Sequence, residues 1–267
     1  MKQVYVESVS LQGPGLDGWK KSLPILTGKA SYKYEDIPKL SPSLLPANER
    51  RRTTSLIKIA LQVAQDALAD KMQDSKNYAT VFAASDGDIE IIHRICTALM
   101  QPGKPVSPTH FHNSVHNAPA GYWAIAANAQ LASTSISAAD FSFAAGLLEA
   151  VTFASCEQQP VLFVAYDVPV LMEPLASARP MYSAFATAMV ISPTKTTDSV
   201  AALKCSLKQS GIQTVSANKE LEKLRIGNPA ARSLPLLETF SCNADATVQL
   251  PAPHETILSV EVSACPK

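Results

Sequence analysis

An α/β fold with stacked layers is the architecture this sequence predicts, and three observations carry it. Apolar strand-like runs alternate with helical patterns from residue 4 to residue 191. That alternation is the signature of a mostly parallel sheet with helices on its faces. The stretch STSISAADFSFAAGLLEAVTFA, residues 133–154, reads as a strand, a sharp turn and a long helix. In that helix Phe141, Ala144, Ala145, Leu148, Val151 and Thr152 recur at helical spacing, while Phe143, Leu147 and Ala150 fill the opposite side. A helix apolar nearly all round belongs in the middle of a domain. Finally, 46% of the 267 residues are hydrophobic and 17% charged, which suits a well-buried globular chain and excludes a disordered one.

Taken in order, Val4 to Leu11 is a first strand closed by the turn residues GPGLDG. Residues 17–48, with scattered prolines and aromatics, read as an irregular surface excursion. Thr53 to Asp70 is an amphipathic helix with Leu56, Ile59, Ala60, Val63, Ala67 and Leu68 inward and Thr53 or Thr54 as cap. Thr80 to Ser85 is a strand buried on both faces. Asp88 then caps a helix from Ile89 to Met100. A proline- and histidine-containing loop, 101–117, precedes a helix that Pro119 opens and that runs to about Gln130.

Ser133 to Ser137 is expected as a short buried strand, with Asp140 at the turn accepting a hydrogen bond from the first helical turn. Val161 to Tyr166 and Ser183 to Ile191 complete the order βαβαβαββ. Beyond residue 192, Ala201 to Leu207 and Thr256 to Val262 read as strands and Ser216 to Leu224 as a helix.

Composition narrows the function. Lysines plus arginines equal aspartates plus glutamates, 23 each, which argues against a broad nucleic-acid or membrane-surface footprint. The amino terminus lacks a signal-peptide core, and no apolar run reaches the ~18 residues of a membrane span. Five scattered cysteines without a CxxC pair fit free thiols in a reducing cytoplasm.

Phosphate-cradling loops and the G-x-S-x-G of a hydrolase elbow are missing. His110, His112 and His116 have the spacing H-x-H-x3-H that could hold zinc. Their proline-rich flanks make a polar loop, with no metal, the expected arrangement. Asn117 is expected to cap the next helix, and Tyr122 and Trp123 to pack. Arg50, Arg51 and Arg52, just ahead of a helix, read as a solvated face or a docking spot for an acidic partner.

The segment SVHNAPAGYWAIAANAQLASTSISAADFSFAAGLLEA, residues 114–150, resembles the N-terminal half of a thiolase-fold β-ketoacyl synthase. ERRRTTSLIKIALQVAQDAL at 49–68 and TVFAASDGDIEIIHRICTAL at 80–99 support it. The chain looks like the chain-length-factor type linked to aryl polyene pathways. The resemblance covers residues 1–192, a synthase N-terminal-like domain, and leaves 193–267 as a short remainder on the same core, a truncated second half.

In an active synthase the elbow carries the acyl-accepting cysteine in a pattern like S-T-A-C. Here S-A-A-D puts Asp140 at that position. The family's two histidines from the second half are also missing, since only His254 follows the elbow. The resemblance therefore implies a non-catalytic subunit, without cofactor. It would pair with an active synthase fed by an acyl carrier protein carrying a phosphopantetheine-linked chain.

Ile92, His93, Cys96, Ile136, Phe141 and Phe143 would border the acyl tunnel or the interface, and the arginines at 50–52 would meet the carrier. Strand 133–137 would be an edge pairing antiparallel with its counterpart. Two other readings stand beside this one. The first is an acyltransferase or thioester hydrolase that uses Asp140 as base or nucleophile, and which needs a second acid–base group. The second is a pure scaffold or acyl-binding module.

Overall fold

The computed structural model describes residues 2–265. Among the described residues nine strands form one mixed sheet. They are β1 (Val4–Gly13), β2 (Leu16–Asp17), β3 (Ala79–Ala83), β4 (Ser133–Ile136), β5 (Val161–Asp167), β6 (Phe185–Ser192), β7 (Ala201–Lys208), β8 (Ala246–Pro251) and β9 (Ile257–Ala264). The order across the sheet is β4-β3-β5-β6-β1-β7-β9-β8, with β2 paired to β1.

The expectation of a mostly parallel sheet is corrected: only β4–β3 and β3–β5 pair in parallel, and every other pairing is antiparallel. Parallel neighbours need a crossover of a dozen residues or more, usually helical. Helices supply it between β3 and β4 and between β4 and β5. Between β5 and β6 the main helix is the four-residue α8 (Leu175–Ala178), and the chain turns back.

Among the described residues the ten α-helices are α1 (Trp19–Leu26), α2 (Ala47–Arg52), α3 (Ser55–Ala67), α4 (Ile89–Leu99), α5 (Pro108–Asn113), α6 (Ala118–Ala126), α7 (Ser142–Glu157), α8, α9 (Lys219–Gly227) and α10 (Leu234–Cys242). Alternation along β5 divides the core. Val161, Phe163 and Ala165 face α7 and share its core cluster with α9 and α10, while Leu162, Val164 and Tyr166 face α3 and share its cluster with α6. Beyond β1 the second face is open: Lys204, Ser206 and Lys208 of β7 alternate outward against buried Leu203 and Cys205.

Thr54 caps α3 through the Ile57 amide, and Asp88 caps α4 through the Ile91 amide. Several local expectations change. Residues 19–26 of the supposed irregular excursion are helix α1, with Ser22 and Leu26 buried. The histidine loop contains helix α5, capped by Ser107. Asn117 sits at the amino end of α6 without a side-chain capping bond, and α6 ends at Ala126. Tyr122 and Trp123 are buried. Strand β4 is not buried but a partly exposed edge, because only β3 lies beside it. Residues past 192 also hold α10 and β8, which periodicity did not reveal.

Helix α7 lies flush on the sheet because residue 146 is glycine. A Cβ there would stand 2.7 Å from both Ala83 Cβ and Phe163 Cε2. By length and composition the helical segment Ala139–Glu157 could cross a membrane, although the longest apolar run in the sequence is shorter. Nine residues of α7 are buried in this fold.

Candidate functional site

The parallel strands β3, β4 and β5 end side by side, and the chain leaving β4 makes the elbow. Ser137 donates its hydroxyl to the Ser85 carbonyl after β3 (2.6 Å). Ala139 takes φ 48°, left-handed for a residue with a Cβ, which costs about 1–2 kcal/mol. A single 3-10 turn, Ala139–Phe141, then leads into α7.

Ser142 stitches this turn. Its Oγ accepts from the Ala138 amide (2.9 Å) and donates to the Ala139 carbonyl (2.7 Å). The expected capping bond from Asp140 is not formed. Neither the 3-10 turn nor α7 has a side-chain cap. The reason is a stronger attraction elsewhere.

The Asp140 carboxylate faces two guanidinium groups. Arg179 Nη1 lies 2.6 Å from Oδ1, and Arg232 Nη2 lies 3.7 Å from Oδ2. Arg179 also donates from Nε to Asp86 Oδ2 (2.7 Å). Asp86 Oδ2 in turn lies 2.9 Å from the Ser85 hydroxyl. Burial works against the charge of Arg179, but the bonds to Asp86 and Asp140 outweigh it and hold its pKa above the ordinary value. Burial pulls the pKa of Arg232 down, and Asp140 only partly offsets it.

Arg232 is delivered by a 3-10 helix, Ala230–Ser233, which Asn228 fixes. Its Oδ1 accepts from the Ala230 and Ala231 amides, and its Nδ2 donates to the carbonyls of Ser183 (2.7 Å) and Asp167 (3.2 Å).

Behind the ion pairs sits Asp167, the last residue of β5, 3% exposed. Its Oδ1 accepts from the Ser85 amide (2.8 Å) and hydroxyl (2.7 Å), while Oδ2 has no partner among the described residues. Burial pushes its pKa up to about 7, against the lowering effect of the Ser85 bonds.

Both oxygens of Asp140 thus face arginines, which hold no proton that can be given up. The two groups paired with Asp140 are therefore unable to act as its acid–base partner. His254 lies in the exposed turn between β8 and β9, where β8 is the edge opposite β4. His112 stacks edge-on to Tyr122, and His116 Nε2 lies 3.3 Å from the Ala84 carbonyl. No group of three or more His, Cys, Asp or Glu residues able to hold a metal occurs among the described residues.

The remaining sequence-derived candidates divide. Phe143 is 1% exposed and packs on Phe163, so it belongs to the core. Ile136 and Phe141 are partly buried near the elbow. On α4 only Ile91 is buried. Ile92 and Cys96 are exposed, and His93 is partly so, 3.4 Å from Thr97 Oγ1.

Arg50, Arg51 and Arg52 form the last turn of α2, ahead of α3. Arg50 turns back to the Pro42 carbonyl and Arg52 pairs with Glu49. Arg51 and Arg52 line a cleft of about 440 Å³ with Arg94, His110 and Val168.

Asp86, Asp167, Arg179, Asn228 and Arg232 were not singled out from sequence. The aspartate closing VLFVAYD was a usable signal, since a carboxylate at the end of a fully buried strand must be paired or neutral. Arg179 directly follows the four-residue α8 and Arg232 sits in a single 3-10 turn, segments too short to carry a sequence pattern that would mark them.

A sequence model described as the beta-ketoacyl synthase, N-terminal domain, matches residues 28–247. The chain belongs to the β-ketoacyl synthase N-terminal-domain family. No curated protein matches it in sequence.

Among solved structures, this β-ketoacyl synthase-family chain is similar to a ketosynthase (ApeO) in complex with its chain length factor (ApeC) from Xenorhabdus doucetiae. The identity is 22%, over 98% of this chain and 100% of that one, with a TM-score of 0.71. It is similar to AntDE:AntF, a type II polyketide synthase acyl-carrier protein in complex with its ketosynthase bound to the hexaketide. There the TM-score is 0.75 at 11% identity, with 99% of both chains covered. A β-ketoacyl synthase from Burkholderia phymatum STM815 gives 0.70 at 12% identity, with 100% of both chains covered. At these identities the likenesses establish the fold, which is the thiolase-like ketosynthase fold.

Proposed function

We propose that this chain is a non-catalytic subunit of the chain-length-factor type. It pairs with an active β-ketoacyl synthase and walls part of the acyl tunnel in aryl polyene, polyketide or fatty-acid-type elongation. The observation that carries the reading is the elbow itself. Where the family places a nucleophilic cysteine stands Asp140, whose carboxylate is held between Arg179 and Arg232. Such a site lacks the thiolate on which acyl transfer in this family runs, and its aspartate is tied to two guanidinium groups instead. The similar solved complex of a ketosynthase with its chain length factor supports the pairing.

The pairing surface is the β4 edge. The Thr80 amide donates to the Ala132 carbonyl (2.9 Å) and the Ala84 amide to the Ile136 carbonyl (3.2 Å). In a parallel ladder alternate residues bond to one neighbour, so residues 132, 134 and 136 serve β3, and Ser133 and Ser135 turn their N–H and C=O groups outward. An unpaired edge of this kind invites a partner strand.

The connection from β3 to β4, built of α4, α5, α6 and their links, exposes Ile92, Leu99, Met100, Phe111, Val115 and Ile125. Exposed apolar groups in that number mark an interaction face. The interface is expected in the obligate class, above ~2,000 Å² in total. The acyl carrier protein would meet Arg51 and Arg52, and Ile92, His93 and Cys96 would border the tunnel from α4.

Co-expression with the cognate synthase, followed by gel filtration, tests the proposal. A stable one-to-one complex and a gain in soluble yield are expected. A well-behaved monomer at micromolar concentration that ignores the synthase would overturn it.

A further inference from the structure

We propose that the elbow is a carboxylate-binding site whose occupant is the chain's own Asp140. Four observations support this, and none of them depends on the partner synthase. Two guanidinium groups, from separate segments, address the two oxygens of one carboxylate. Arg179 is within charge-assisted hydrogen-bond distance of the carboxylate, and Arg232, at 3.7 Å, adds an ion pair from a second segment.

The receptor is also built without Asp140. Arg179 is anchored on its far side by Asp86, and Arg232 rides on the 3-10 helix that Asn228 holds. The elbow does not lean on the Asp140 side chain either, since Ser142 and Ser137 make its hydrogen bonds. Lastly, the receptor has donor capacity that Asp140 leaves unused. Arg179 Nη2 and Arg232 Nε are buried and make no hydrogen bond among the described residues. Buried donors of this kind are rare and call for an acceptor.

Charge points the same way. With Asp140 present and Asp167 protonated, the cluster of Asp86, Asp140, Arg179 and Arg232 is balanced. Without Asp140 one positive charge is left over in a half-buried site under those conditions, and a small external carboxylate would restore the balance. In the native chain Asp140 therefore acts as an intramolecular competitor that keeps an external carboxylate from settling at the elbow. The ligand class is a small mono- or dicarboxylate.

The test uses the full chain and sodium acetate as probe, against sodium chloride at equal ionic strength. Thermal unfolding is followed for the wild type, Asp140→Ala and Asp140→Ala/Arg179→Ala. Asp140→Ala should unfold at a lower temperature than the wild type and regain about 2–4 °C at acetate tenfold above its dissociation constant. The wild type and the double variant should show no saturable, acetate-specific gain. Asp140→Ser, run in parallel, carries the same expectation should the alanine variant fail to fold. No acetate-specific gain in whichever single variant folds would overturn the proposal. So would an equal gain in the double variant. Assembly with the synthase is measured separately, so failure here leaves the subunit reading standing.

Discussion

Asp167 gives the sharpest physical prediction. It ends β5 inside the protein, and its pKa is pushed from 3.8 up to about 7, chiefly by burial. Between those two values the folded chain keeps a proton that the unfolded chain releases. Stability is therefore fully present below the unfolded value, falls as pH rises through the window, and levels off above the folded value. Integrating that linkage from pH 5 to pH 8 gives a loss of about 2–3 kcal/mol.

Asp167→Asn removes the titration while keeping the shape. Its amide oxygen can still accept both Ser85 bonds, and its nitrogen replaces an oxygen that has no partner. Any fixed cost of the amide is the same at every pH and cancels in the difference. Urea unfolding of both chains at several pH values is the assay. The variant should gain about 2–3 kcal/mol on the wild type between pH 5 and pH 8. Other titrating groups, such as the buried Glu238, are common to both chains and drop out. Parallel curves for the two chains would refute the reasoning.

Ser135→Pro should weaken binding to the synthase while leaving the fold intact, because proline removes only an outward N–H and the bonds from β4 to β3 lie on even-numbered residues; undiminished complex formation on gel filtration would rule out edge pairing. Ile92→Trp and Cys96→Trp should shift the stability of the isolated chain by less than about 0.5 kcal/mol, since both sites are exposed, yet shorten the products of the reconstituted pair. Mass spectrometry of those products decides it, and unchanged lengths with normal assembly would remove these residues from the tunnel. Gly146→Ala should destabilise by about 1–3 kcal/mol despite alanine's better helix propensity, because the new Cβ meets Ala83 and Phe163 at 2.7 Å; a more stable variant in urea would show that α7 can lift off the sheet freely.

The central part of the fold was legible in the sequence for a physical reason. Strands such as Val161–Asp167 are buried on both faces, so their apolar runs are unbroken. Helix α3 carries a clean buried stripe that begins at its threonine cap. Where Pro24 sits within α1, or Pro108 opens α5, proline hid a helix behind the composition of a loop. Strand direction was not legible, because a run such as FATAMVIS reads the same whether its neighbour is parallel or antiparallel.

The elbow was legible as a position and not as a site. S-A-A-D located Asp140. However, its partners Arg179 and Arg232 come from segments 39 and 92 residues further along the chain, in stretches without periodicity. Local reasoning therefore assigned Asp140 the nearest job, capping α7, whereas two distant charges claim its carboxylate. Ser142, two residues on, holds the turn instead.

The measurement that bears most directly on the account is condensation by the reconstituted pair, synthase plus Asp140→Asn, with gel filtration alongside. The substitution removes the charge that either a base or a nucleophile would need and keeps the side chain's size. If this chain is a non-catalytic subunit, the Asp140→Asn complex assembles and elongates at a near-normal rate. An intact complex that has lost elongation would contradict the account and return Asp140 to the chemistry.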